Sequence, residues 1–103
     1  MTEVRFRAEA RVDVAEAFEW YQRARSGLGV EFLEAIEAAL DVVALSPLTW
    51  PVWPGSSPRD DVRHFPLRRF PYAIAYIVSG DVLLVLAVAH NRRRPGFWRD
   101  RLA

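Results

Sequence analysis

The stretch that decides the fold is VLLVLAVAHNRRRPGFWRDRLA, residues 82–103. Its first eight residues are all apolar, and they run into His90 and three arginines. A strand covered on one face alternates apolar and polar residues, whereas this strand is apolar at odd and even positions and therefore on both faces. We therefore expect cover on both faces, by helices on one side and by the tail or another polypeptide on the other. The tail residues expected there are Phe97, Trp98 and Leu102.

Upstream of this strand, the sequence predicts one short strand followed by two helices. Residues 4–8, VRFRA, alternate apolar and charged side chains, which is the period of a half-buried strand. Apolar residues between 14 and 24 recur at helical spacing, and we expect Asp13 to begin that helix as its N-cap. A second apolar stripe, between residues 32 and 43, predicts another helix. Gly27 lies in the short connection and is expected to be left-handed, so the two helices form a hairpin.

Three further strands are predicted after a proline-rich surface loop, residues 46–61. Pro66 would remove a hydrogen bond from a sheet, so its strand belongs at an edge or carries a bulge. Gly80 lies in a short turn that joins the last two strands as a hairpin. The predicted class is α+β with the order β-α-α-β-β-β, an antiparallel sheet packed against an α-helical hairpin. The strand candidates are residues 61–70, 72–78 and 82–88.

The composition is that of a single domain, residues 1–103, and predicts a soluble cytoplasmic protein. Apolar residues make up 51% of the chain, and cysteine is absent from the sequence, so disulfides and thiolate metal sites are excluded. The longest apolar run, eight residues, is far too short to span a membrane. Residues 1–50 hold five arginines and nine carboxylates, whereas residues 51–103 hold nine arginines and four carboxylates. The basic half is expected to face nucleic acid or an acidic protein segment.

The residues that could carry chemistry lie where the last strand ends. His90 could act as general acid or base in metal-free RNA cleavage, and arginines could hold the scissile phosphate. The alternative is structural, with a histidine that caps a strand and arginines that are solvated. The candidate catalytic residues are His90, Arg68, Arg69 and Arg92. The candidate partner- or nucleic-acid-binding residues are Arg93, Arg94, Phe97 and Trp98, although Phe97 and Trp98 are expected more for packing. Two histidines without cysteine supply no ligand set, and cofactor motifs are missing, so we expect no metal and no cofactor.

Three short motifs stand in a fixed order within roughly residues 4–101. They are Gly27-Leu28-Gly29 with Glu31-Phe32, then Arg69-Phe70-Pro71-Tyr72, then His90 followed by Arg92-Arg93 and Trp98. Together they resemble toxins of the RelE/ParE superfamily of bacterial type II toxin–antitoxin modules. The resemblance implies a β-α-α-β-β-β toxin that is neutralised by a cognate antitoxin. It also implies that the C-terminal segment of the antitoxin wraps the sheet and the helical hairpin.

The superfamily divides by mechanism, so the resemblance implies two alternative functions. RelE-like members are ribosome-dependent mRNA endonucleases that use basic residues and a Tyr or His near the C-terminus. ParE-like members inhibit DNA gyrase by binding it. This chain has no lysine and no tyrosine after residue 76, and its tail is more similar to the ParE-like, plasmid-stabilisation branch.

We therefore expect a toxin that binds DNA gyrase and is not an enzyme, with a cognate antitoxin as its second partner. The alternative is a metal-independent, ribosome-dependent endoribonuclease that acts on mRNA through His90 and the arginines. An antitoxin-bound protein with another target also stays open.

Overall fold

The computed structural model of the chain describes residues 2–94 and 96–102. The elements are β1 (Glu3–Phe6), α1 (Ala8–Ala24), α2 (Leu28–Leu45), β2 (Arg63–Pro66), β3 (Tyr72–Ser79) and β4 (Val82–His90), followed by a short 3-10 helix, Phe97–Arg101, called the tail helix below. The predicted α+β class and element order are confirmed. Within the described residues, neither helix is both long and apolar enough to cross a membrane.

The four strands form one sheet in the order β1-β4-β3-β2. Strands β2, β3 and β4 are antiparallel, but β1 pairs parallel with β4, so the sheet is mixed and not antiparallel throughout. A parallel pair needs a crossover connection, and the helical hairpin on one face supplies part of it. Pro66 lies in β2, at the edge of the sheet, where a missing backbone donor costs least.

Two glycines let the helices of the hairpin meet closely. Gly27 adopts a φ of 91°, the left-handed conformation predicted for it, directly before α2 begins. A Cβ atom at Gly29 would lie 2.7 Å from the carbonyl oxygen of Phe18 in α1. The amide groups of both glycines donate hydrogen bonds to Gln22 Oε1, at 3.2 and 2.9 Å. These contacts explain why the connection reads Gly-Leu-Gly.

Helix α1 begins earlier than predicted, and Asp13, inside the helix, has a tertiary role. The helix begins at Ala8, with Arg7 in the N-cap position, so the expected Asp13 N-cap is wrong. The Asp13 carboxylate instead accepts a hydrogen bond from the Val88 amide at 3.0 Å and another from Arg101 Nη1 at 2.6 Å. A carboxylate engaged by two distant groups is not available to cap its own helix.

Strand β4 is covered on both faces by the chain itself. The helix-facing side belongs to a core with α1 and α2, whereas the opposite side packs with Trp53 and Trp98. Trp98 is fully buried and Trp53 is 7% exposed. Of the two alternatives for the second face, cover by the tail is therefore confirmed.

A bulge in β4 shifts the alternation of its side chains between the two faces. Ala75 lies opposite Ala87, and the next residue, Tyr76, lies opposite Val85, which leaves Leu86 without an opposite residue. Such an extra residue shifts the alternation of a strand by one. Leu86 and Ala87, although adjacent in sequence, consequently both belong to the core on the tail side.

The two tryptophans of the proline-rich loop help to pin it to the domain. Trp50 packs edge-on against Phe65, with ring centroids 4.7 Å apart, and the Trp53 amide donates to the Val62 carbonyl at 2.7 Å. Tyr76 donates its hydroxyl to the Pro47 carbonyl at 2.6 Å, and burial raises the pKa of Tyr76 to about 12.

An ion pair fixes the tail helix against the edge of β4. Arg101 Nη1 contacts Asp13 Oδ2 at 2.6 Å and donates to the Leu86 carbonyl at 3.1 Å. The Arg101 and Asp13 side chains are only 12% and 9% exposed. Arg7 Nε donates to the Arg101 carbonyl at 2.8 Å. Strand β1 pairs only with Val82–Val85. Along the second half of β4, these contacts therefore take the place of a neighbouring strand.

Removing one partner of this pair should destabilise the fold. Asp13→Ala leaves the Arg101 charge buried without a counterion, and we expect it to lower the free energy of unfolding by about 3 kcal/mol in urea denaturation. Asp13→Ala/Arg101→Met should recover part of this loss, with a coupling energy of at least about 1 kcal/mol. Glu3→Ala, which breaks the exposed Glu3–Arg5 pair, is the control and should cost less than about 0.5 kcal/mol. If the effects of Asp13→Ala and Arg101→Met on the free energy of unfolding were additive, the two residues would not be coupled and the assignment of a stabilising ion pair would be wrong.

Candidate functional site

The segment that follows β4, residues 91–94, is called the basic turn, and backbone hydrogen bonds hold it in place. The Asn91 amide donates to the Pro71 carbonyl at 2.9 Å, and the Arg93 amide donates to the His90 carbonyl at 2.9 Å. The Arg92 amide donates to His90 Nδ1 at 3.1 Å. The three exposed arginines therefore project from a backbone that is already ordered.

His90 ends β4 and lines a groove shared with α1. It lies opposite Tyr72 in the sheet, and the two rings meet edge-on with centroids 5.3 Å apart. Since Nδ1 accepts a hydrogen bond, the neutral ring carries its proton on Nε2. The groove, of about 450 Å³, is also lined by Glu16, Trp20, Arg23 and Arg93. We call it the His90 groove.

Arg68 and Arg69 lie in a different groove, between α2 and β2. Arg69 Nη1 contacts Glu31 Oε1 at 2.6 Å, and Arg25 contacts the other oxygen at 3.3 Å. The hydrogen bond from Arg69 holds the pKa of Glu31 below its usual value against a smaller effect of burial. This α2–β2 groove, of about 510 Å³, is mostly apolar. Its lining includes Ala35, Ala38, Val42, Trp50 and Phe65.

A third groove lies between the proline-rich loop and the basic turn. This basic groove, of about 420 Å³, is lined by Trp53, Pro54, His64, Pro66, Asn91, Arg92, Arg93 and Arg94. The His64 ring packs edge-on against Trp53, with centroids 4.3 Å apart. Burial lowers the pKa of His64, so its ring is neutral near pH 7 and the positive charge of the groove comes from the arginines.

The candidate catalytic residues are thus distributed over three grooves. His90 lines the first, Arg68 and Arg69 line the second, and Arg92 lines the third, which adjoins the first through Arg93. Glu31 holds Arg69 toward α2, in a groove that His90 does not line. Among residues 2–94 and 96–102, acidic and histidine side chains form no group of three or more that could hold a metal ion.

The candidate partner-binding residues divide into exposed and buried members. Arg93 and Arg94 are exposed, and the Arg93 guanidinium lies 4.2 Å from the centre of the half-buried Phe97 ring. Trp98 fills the core on the tail side of the sheet and presents no surface in this structure.

Sequence reasoning missed Trp20, which is 65% exposed and lines the His90 groove. It falls outside the apolar stripe of α1, and a large aromatic residue off that stripe was the available signal. Reasoning from single helices also missed an apolar groove between α1 and α2, of about 540 Å³. Its apolar lining is Phe6, Val14, Ala15, Phe18, Leu33, Ile36 and Leu40. We call it the hairpin groove.

Residues 4–95 match a family model described as the ParE toxin of type II toxin–antitoxin system, parDE. The chain belongs to this family. The resemblance to the ParE-like side of the superfamily is therefore confirmed. Comparison with curated proteins finds no match. A solved structure described as the chromosomal ParDE TA system from P. aeruginosa is similar with a TM-score of 0.74 and 16% identity, covering 87% of this chain and 96% of that chain. At that identity, the similarity to the ParDE structure shows the fold.

The burial of His64 predicts the direction in which the pKa of its ring is shifted. In the folded ParE-family chain its pKa should lie below the ordinary value of 6.5 for histidine. Because the folded pKa is depressed, the stability that the neutral ring contributes is full above the unfolded pKa and is lost as pH falls through the folded pKa. Titration of the imidazole resonances by NMR, assigned with a His90→Asn variant, measures this. A His64 pKa at or above 6.5 would contradict the burial.

Proposed function

We propose that this ParE-family protein is a toxin that inhibits DNA gyrase by binding it and is neutralised by a cognate antitoxin. The family match over residues 4–95 carries the proposal. The distribution of the candidate catalytic residues over three grooves favours binding over chemistry. Localisation in the cytoplasm, where gyrase acts, is part of the same proposal.

Metal-free RNA cleavage requires an acid–base group and cations within hydrogen-bond reach of one phosphate. His90 Nδ1 already accepts the Arg92 amide, so the neutral ring offers a donor at Nε2 but no free acceptor for a proton. Arg69 is held by Glu31 in another groove. The endonuclease alternative would need both contacts to break before the residues could act together.

The hairpin groove has the properties of a site for the antitoxin. It is lined by apolar side chains from both helices and from β1, with charged Arg11, Glu19 and Glu37 beside them. Such grooves bind amphipathic helices, whose apolar face they bury. We infer that a helix of the antitoxin occupies the hairpin groove, in line with the wrapping that the family resemblance implied.

Induced expression in bacteria tests the choice of target. We expect gyrase supercoiling to be inhibited and mRNA in translating ribosomes to stay intact. His90→Asn keeps an acceptor for the Arg92 amide but removes acid–base chemistry, so its toxicity should stay within about threefold of the parent chain.

Unaffected supercoiling together with mRNA cut only in translating ribosomes would refute the gyrase proposal. A loss of toxicity of about 100-fold or more in His90→Asn, accompanied by loss of mRNA cleavage, would favour the endonuclease. Circular dichroism and thermal denaturation of His90→Asn establish that a loss is not due to unfolding.

Antitoxin binding is tested by placing a charge in the hairpin groove. Leu33 is 39% exposed in the groove, so Leu33→Arg should fold yet weaken binding of the co-expressed neighbouring gene product by at least about tenfold. Leu45→Arg is the matched control, since Leu45 lies on the same helix, is 86% exposed and is not among the groove-lining residues. Affinity is measured by isothermal titration calorimetry. Equal affinities for the two variants would place the antitoxin elsewhere, and absence of any complex would remove the partner.

A further inference from the structure

We propose that the basic groove binds the phosphate backbone of duplex DNA, so that the toxin contacts the DNA that gyrase holds as well as the enzyme. The inference rests on the proposed function, because it adds a second partner, DNA, to a gyrase-binding toxin. It assigns a ligand class to Arg92, Arg93 and Arg94, together with Asn91 at the start of the basic turn.

The charge of the groove is the first argument. Arginines elsewhere in the described chain, at positions 5, 25, 63, 69 and 101, form ion pairs with carboxylates. None of the ion pairs within residues 2–94 and 96–102 includes Arg92, Arg93 or Arg94. The residues that line the basic groove include no carboxylate. Within the described residues, three guanidinium groups thus line one groove whose lining offers no carboxylate, which is the arrangement that a polyanion neutralises.

The order of the basic turn is the second argument. Its backbone is bonded to His90 and Pro71, so the chain loses little freedom there when a ligand binds. The Phe97 ring supports the face of the Arg93 guanidinium at 4.2 Å and leaves its N–H edges available. Guanidinium groups held in this way donate paired hydrogen bonds to phosphate oxygens.

The buried rings favour phosphates over bases as the groups that are recognised. Single-stranded nucleic acids bind largely by stacking their bases on exposed aromatic rings. Trp53 is only 7% exposed, and its ring is already packed against His64 and Phe97. Trp53, the largest ring of the groove, therefore has little free face on which a base could stack. Contacts restricted to phosphates fit a duplex, whose backbone is accessible while its bases are paired.

The contrast with the other grooves favours DNA over an acidic protein segment. Protein partners are held mainly by a few side chains, often Trp, Tyr or Arg, that become fully desolvated at the centre of the interface. The hairpin groove, lined by Val14, Phe18 and Ile36, offers an apolar surface that desolvates such side chains, and we have assigned it to the antitoxin. The basic groove combines exposed arginines with the buried ring of Trp53 and the smaller rings of His64 and two prolines. Interfaces with DNA are more positively charged than interfaces with proteins.

The test measures how salt affects binding to DNA without gyrase. Binding of the full chain to a fluorescent duplex of about 30 base pairs is followed by anisotropy between about 50 and 200 mM KCl. For two to three neutralised phosphates, the plot of log K against log salt should have a slope of about −2 to −3. Arg92→Gln/Arg94→Gln should weaken binding at least about fivefold and make the slope less negative by about 2. Arg5→Gln/Arg25→Gln removes the same charge outside the basic groove and should leave the slope within about 0.5 of the parent value.

The outcomes separate this inference from the proposed function. An unchanged slope in Arg92→Gln/Arg94→Gln, or equal slope changes in both variants, would overturn the DNA assignment even if the chain inhibits supercoiling. Loss of antitoxin affinity in Arg92→Gln/Arg94→Gln, with DNA binding unchanged, would also overturn it and make the groove a protein-binding site. A normal DNA slope in a chain that does not inhibit gyrase would support the basic groove while refuting gyrase as the target.

Discussion

The Asp13–Arg101 ion pair is the interaction on which the arrangement of the functional surface depends. Strand β1 pairs with only the first half of β4, so the Leu86 carbonyl and the Val88 amide lie beyond its reach. Arg101 and Asp13 satisfy these two groups and each other. A buried backbone group without a partner would cost about 1–3 kcal/mol. The pair therefore completes the edge of the sheet and also fixes the end of the tail.

The fixed tail connects the hydrophobic core to the basic surface. Trp98 fills the second core, and the preceding residue, Phe97, lies beneath the Arg93 guanidinium. One five-residue helix thus shields the apolar face of β4 and orients a cation at the end of the same strand. The apolar run and the arginines that follow it are parts of one structural unit, since the cover for the first determines the position of the second.

Features set by local sequence were predictable, and features set by distant partners were not. The element order, the edge position of Pro66 and the left-handed Gly27 follow from periodicity and backbone constraints, and the structure has all three. Asp13 precedes Glu16 by three residues, which is a capping-box spacing, yet its partner Arg101 is 88 positions away. The position of Arg69 was likewise not predictable, because no local pattern indicates that it would form an ion pair with Glu31 of α2.

The fold does not specify the contacts that His90 and the arginines beside it make. Similarity at 16% identity shows the fold alone, and a fold by itself does not determine function. Here the histidine is tied to the backbone through Nδ1, whereas the arginines beside it form no ion pair within the described residues. An acid–base site needs the histidine free and the cations focused on one phosphate. This chain has the reverse, a restrained histidine and available cations, which suits holding a polyanion better than cutting one.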